Sequence, residues 1–313
     1  MLCFLGLGTI LPLLGYLYRI APMPRLAALL LLPAIFVYVV VYLRAVAKGD
    51  ADLRLRFERG VAGGLLGIAG YDLIRVPIHL NGLNPFAAIQ SYGVYLTGVE
   101  HSNLFSDVVG IVYHTGNGLF FALMFTLTIG PSRLTPLLAM IWALALEGFA
   151  VATVFGEVYH LRTNPVGTGL AFFAHLFYGA PLAWMAMRRR IARRDWILAA
   201  LLALAGLGSV LGLVRPPDGY RTPKNPGLEM VDAGIHSRWT RLNAGEAMEI
   251  RNGASEAVTL EFPHSLIPNQ TIQPGKSVAV IFEKAGIHQI RAQRTDWRSV
   301  LVIAERGGYV TEP

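Results

Sequence analysis

The sequence predicts a membrane α-helical bundle of about seven transmembrane helices, followed by a small antiparallel β-sandwich. Three observations lead there. Of the 313 residues, 54% are hydrophobic and only 15% are charged, and the mean hydropathy is +0.48. The apolar residues gather into runs of roughly 20, the length a helix needs to cross a hydrocarbon core. After Val214 the pattern changes to short β-rich runs separated by turn residues, the rhythm of a sandwich. The chain thus divides into a transmembrane domain (1–214), a proline-rich linker (215–227) and an exoplasmic sandwich (228–313).

The formal net charge of +7 would suggest nucleic acid in a soluble chain. Here Lys and Arg cluster in short loops between apolar runs, so the excess reports membrane topology, and no nucleic-acid partner is expected. The single cysteine, Cys3, excludes an internal disulfide and any cysteine-based zinc or iron–sulfur site. GxSxG, Walker, HExxH and CxxC patterns are all missing.

Residues 2–18 form the first apolar run, read as a retained helix rather than a signal peptide. The second helix, 26–46, is Leu/Val-rich and suited to lipid. A loop carrying Arg44, Lys48, Arg54, Arg56 and Arg59 follows. Helix three, 61–80, holds Gly63, Gly64, Gly67 and Gly70, which let neighbouring backbones approach, together with Asp72, Arg75 and His79. An outer loop at 81–103, rich in aromatics and glycine, suits a re-entrant or interfacial segment. Helix four, 106–130, reads SDVVGIVYHTGNGLFFALMFTLTIG and carries Asp107, His114 and Asn117. Helix five, 134–159, has Glu147 near its middle and Glu157 at its end, with His160 just beyond. Helix six, 166–187, contains His175. An arginine cluster at 188–194 leads into helix seven, 196–213.

With the amino terminus cytoplasmic, inner loops hold about eleven Lys/Arg and outer loops about four. The positive-inside rule then places the C-terminal domain on the outer side, the periplasm of a bacterial cytoplasmic membrane.

Within the outer domain, RLNAGEAMEIRNGASEAVTLEF and TIQPGKSVAVIFEKAGIHQIRAQRTDWRSVLVIAE resemble a cupredoxin domain. The likeness lies in a glycine-led strand ending at Asn252, a PGK turn before a strand, and an AG turn before the last hairpin. The family's copper site needs a cysteine and two histidines. Ala292 occupies the cysteine position, and neither His264 nor His288 falls where a ligand would. The resemblance therefore implies the fold without a type 1 copper centre, and His236, His264 and His288 are expected as strand-edge residues.

Ionisable groups within membrane helices are costly and usually face a protein interior. Counting along the helices, Asp72, His114 and His175 lie at similar depths, roughly 12–13 Å from the outer face. Glu147 is deeper. A shallower layer holds His79, Asp107, Glu157 and His160. Asp72 and His79 are seven residues apart, as are Asp107 and His114, so on antiparallel helices each acid can meet the other helix's histidine. YHTGNGLFFALMF and AHLFYGAPLAWMA share His-x3-Gly, which suggests a repeated hairpin contributing one acid and one histidine each time. The leading expectation is a transition metal (iron, zinc or copper) on Asp72, His114 and His175, with Glu147, Asp107, Glu157, His160, Asn117 and His79 as outer hydrogen-bonding partners or proton relay. Haem between the two histidines, ion pairs that only lock the bundle, an ion or proton carrier, and a non-catalytic subunit of a larger respiratory or oxidase-type complex are the rival expectations. Expected partners are the lipid bilayer, other membrane subunits or a periplasmic protein.

Overall fold

The computed structural model describes residues 2–18, 20–80, 85–98, 103–159, 161, 165–213, 227–232, 234–235, 239–263, 265–283, 286–293 and 300–305. Six helical stretches among them are long and apolar enough to cross a bilayer. The first is Met23–Lys48, in which α2 (Met23–Leu26) and α3 (Leu32–Lys48) are joined by a π-helical turn at Ala27–Leu31. The others are α4 (Ala51–Leu80), α6 (Leu104–Thr128), α7 (Thr135–Ala152), α9 (Pro165–Ala186) and α10 (Arg193–Leu213). The protein is therefore built around a set of membrane-spanning helices.

The expected first span is the one that falls short. Leu2–Gly6 winds as a 3₁₀ turn and α1 (Leu7–Leu17) has 11 residues, with Pro12 inside it. Glycines at 6 and 8 and this proline leave too little regular helix for a full crossing. The run still packs inside the bundle: Gly6 abuts Met124 and Phe120, on the C-terminal half of α6, and the Tyr38 hydroxyl donates to Leu2 O. Leu13 and Leu17 are buried against Tyr92, Tyr95 and Tyr113.

Helix α4 begins ten residues earlier than the sequence suggests. Gly49 takes a left-handed conformation that ends α3, and Asp50 accepts from the Leu53 N–H to start α4. Of the basic residues expected in a loop, Arg44 and Lys48 end α3, while Arg54, Arg56 and Arg59 lie in the N-terminal part of α4, with Arg56–Asp52 and Arg54–Glu58 paired along it. Arg59 donates to Arg188 O (2.7 Å), so the α3–α4 and α9–α10 turns share one end of the bundle. At the other end, the segment between α4 and α6 contains α5 (Ala87–Thr97), packed along the N-terminal half of α6. The expected helix at 134–159 is broken at Thr153, whose backbone is extended, leaving α8 (Val154–Val158) as a separate turn.

Helix α4 is the central member and packs on α3, α6, α9 and α10. Small residues make its approach to α9 close: a Cβ at Gly70 would stand 2.4 Å from Phe177 O.

The C-terminal residues form two sheets, ordered β2-β1-β4-β7 and β3-β9-β8-β5-β6. The strands are β1 (Gly227–Val231), β2 (Gly234–Ile235), β3 (Trp239–Asn243), β4 (Ala247–Asn252), β5 (Val258–Glu261), β6 (Gln270–Ile272), β7 (Ser277–Ile281), β8 (Gly286–Ala292) and β9 (Val300–Glu305). Most pairs are antiparallel, but β1 runs parallel to β4 and β3 to β9. The purely antiparallel expectation is thus corrected to a mixed one, because β1, hidden behind the proline-rich spacer, enters between β2 and β4 and runs parallel to β4, and β3 lies parallel to β9. Alternating residues of both sheets, among them Met248, Ile250, Leu260 and Ile290, meet in one apolar core.

Candidate functional site

Four helices deliver the ionisable side chains. Asp72 sits on α4, His114 on α6, Glu147 on α7 and His175 on α9. They meet as two acid–histidine pairs. His114 Nε2 is 3.0 Å from Asp72 Oδ1, and His175 Nδ1 is 3.4 Å from Glu147 Oε2. Both acids are almost fully buried, Asp72 at 1% exposure and Glu147 at 4%. Tyr71 stands between the two rings, its centroid 4.7 Å from His175 and 5.9 Å from His114. Arg75 carries charge into the group, 3.4 Å from Asp72 and with its guanidinium carbon 4.5 Å from the Tyr71 ring centre.

The hydrogen bonds assign the tautomers. His175 Nδ1 also lies 2.9 Å from Ala171 O. A carbonyl oxygen only accepts, so Nδ1 carries the proton and Nε2 keeps a lone pair. Asp72 Oδ1 faces His114 Nε2 in the same way, and with Nε2–H donating to it Nδ1 keeps the lone pair. Each imidazole is thus held at one ring nitrogen.

His114, His175 and Glu147 line one cavity of about 320 Å³ inside the bundle. Asp72 does not line it; this carboxylate stands behind His114. Asn117, one turn deeper on α6, and Trp142 on α7 also border the space. Asn117 Oδ1, Trp142 Nε1 and Glu147 Oε1 are buried with no hydrogen-bond partner among the described residues. Gly118 lets the walls close: a Cβ there would lie 2.2 Å from Ile68, and the Tyr178 hydroxyl donates to Gly118 O at 2.7 Å.

Other expected residues lie elsewhere. His79 packs on Phe86, with ring centres 5.7 Å apart. Asp107 is buried in the first turn of α6, which starts with a capping box between Asn103 and Ser106. Glu157 belongs to α8, its side chain outside the described set, and His160 lies outside the described residues. Among the described residues no three His, Cys, Asp or Glu side chains converge as a ready metal cage. Sequence reasoning missed Tyr71 and Trp142. A tryptophan well inside a span, away from the interfacial belts this residue favours, was the available signal.

In the β-domain, His236 and His264 also lie outside the described residues. His288 is buried and stacks on Phe282 at 4.7 Å, so it is not the edge residue expected. Ala292 closes β8 opposite Leu260.

No protein-family model matches the chain, and no curated protein does. Solved structures share parts of it. A purple cupredoxin from Nitrosopumilus maritimus is 13% identical over 26% of this chain and 99% of that one, with a TM-score of 0.24. A chain from the cryo-EM structure of a heme-copper terminal oxidase dimer is 12% identical over 36% of this chain and 98% of that one, with a TM-score of 0.22. At these scores neither likeness bears on what this chain does.

Proposed function

We propose that this is a membrane metalloprotein whose cavity binds a transition ion (iron, zinc or copper) through His114 and His175, with Glu147 beside them. The observation that carries this is the matched state of the two rings. Each has one nitrogen bonded to an acceptor-only group and the other left with its lone pair, and both border one cavity. Metal-ligating histidines are characteristically oriented in this way by a carboxylate or carbonyl behind them. Asp72 and Ala171 O fill that role, so Asp72 moves from ligand to orienting group in this reading. Two imidazoles and one carboxylate leave positions open, where the ion would supply Lewis-acid or redox capacity. Arg75 offsets the charge of Asp72.

The charge pattern supports the orientation. Lys48, Arg54, Arg56 and Arg59 share one end with Arg188, Arg189, Arg190, Arg193 and Arg194, and that end is cytoplasmic by the positive-inside rule. The β-domain then follows α10 on the outer side as a cupredoxin-like module without type 1 copper, a surface for docking periplasmic or membrane partners.

Metal analysis of the purified full chain tests the reading, with wild type compared against the double variant His114→Ala/His175→Ala. Near-stoichiometric metal in wild type and little in the variant is the expected result. Equal, near-zero metal in both overturns it.

A further inference from the structure

The cavity has a second character that metal binding does not use. One wall is α1, through Leu7 and Ile10, and the facing wall is α7. On that α7 wall, Ala145 and Phe149 border the cavity and are exposed, Phe149 by 50%. Helix α1 packs on α2, α6 and α8, and α7 on α8 and α9, so α8 joins the two at one end and these exposed lining residues mark the rest of the α1–α7 boundary as the side on which the cavity opens. An occupant can therefore arrive sideways from the bilayer.

The lining defines its chemistry. Among the described residues no Lys or Arg borders the cavity, while Glu147 does. That combination disfavours a phosphate or carboxylate headgroup, which would be desolvated without a counter-charge. Two acceptors, Asn117 Oδ1 and Glu147 Oε1, and one donor, Trp142 Nε1–H, are buried without partners. A ligand that both donates and accepts removes these unsatisfied groups, each of which costs free energy while unmade. The rings of Tyr71, Phe121, Trp142 and Tyr178 around the space favour a flat aromatic head.

We propose that the cavity is a binding site for an uncharged, lipid-soluble hydroquinone, admitted from the bilayer between α1 and α7 and held by Asn117, Glu147 and Trp142. Trp142 belongs to no part of the metal reading, and the binding is read on metal-free protein, so the two inferences stand or fall separately.

The test uses the full chain, stripped of metal by chelator, in phosphatidylcholine nanodiscs with a decyl-tailed benzoquinol as probe. Saturable binding near one per protein, above that of empty discs, is expected. Asn117→Leu and Trp142→Phe should each weaken it at least tenfold. Ala145→Trp, on the exposed wall where added bulk is tolerated by the fold, should slow uptake at least tenfold. Oleate should not compete. Partition equal to that of empty discs, binding unchanged in all three variants of unaltered helix content, or displacement by oleate would each overturn the proposal.

Discussion

Asp72 Oδ1 lies 3.0 Å from His114 Nε2 and 3.4 Å from Arg75, so one carboxylate oxygen serves two cationic or donor partners from two helices. Its role in the fold is separable from its role at the cavity. Removing it strands the buried Arg75, and breaking a buried pair from one side typically costs about 3–5 kcal/mol. Asp72→Ala should lower the thermal unfolding midpoint in detergent markedly. Asp72→Ala/Arg75→Leu should recover part of the loss, because the stranded charge goes too. A double variant no more stable than Asp72→Ala would show that the pairing is not what holds this region.

Glu147 should behave differently. His175 is held by Ala171 O at 2.9 Å whether or not the carboxylate is present. Glu147 Oε1 has no partner among the described residues, so Gln in its place removes a poorly compensated buried charge. Glu147→Gln should melt no earlier than wild type while weakening metal binding by about 10–100-fold, the range seen when groups around a metal site are altered. Melting curves and metal titration of the same preparation check both halves. A large stability loss would mean that Glu147 is structural.

Three glycines should rank by what a new methyl group meets. At Gly70 it would press on a backbone oxygen of α9, Phe177 O, at 2.4 Å. At Gly118 it would meet Cδ1 and Cγ1 of the Ile68 side chain, both at 2.2 Å, rather than backbone. At Gly148 nothing lies within 4 Å. Gly70→Ala should therefore be the costliest, about 1–3 kcal/mol by overpacking. Gly118→Ala should cost less, and Gly148→Ala should be neutral or stabilising by up to about 1 kcal/mol from helix propensity. Equal melting midpoints for the three would contradict the α4–α9 contact.

Much of this was legible in the sequence, for identifiable reasons. Apolar length suggested seven spans, of which six are long enough to cross, and depth counted along helices put Asp72 level with His114, because helical rise is regular, but set Glu147 deeper than His175, the ring it meets. Rotation about each helix is set by neighbours and was not legible, so the sequence did not show that His114 borders the cavity while Asp72 does not. The break at Thr153 and the π-helical turn at Ala27–Leu31 carry no local punctuation such as Gly–Pro. In the β-domain, the strand beginning at Gly227 was invisible because the spacer's prolines run up to it, and its pairing with β4 is long-range.

Asn252 should decide the stability of the β-domain. Its side chain is fully buried, donates from Nδ2 to Glu256 O and Ile272 O, both at 2.8 Å, and accepts from the Ala254 N–H at 2.9 Å. It thereby ties the end of β4 to the turn before β5 and to β6. Truncation to Ala leaves the Ile272 carbonyl and the Ala254 N–H buried without it, and each orphaned group costs about 1–3 kcal/mol. A loss of roughly 3 kcal/mol or more is expected, a large share of what a small domain holds. The comparison residue is Thr259, whose hydroxyl pairs with Thr271 on the exposed face at 2.9 Å; replacing it with Ala should change stability by no more than about 0.5 kcal/mol. Thermolysin digestion of the full chain in detergent reads both. In Asn252→Ala the β-domain should be cleaved well before wild type while the helical fragment persists, and in Thr259→Ala the pattern should match wild type. An Asn252→Ala protein digested no faster than wild type would mean that the strands, not this side chain, carry the connection.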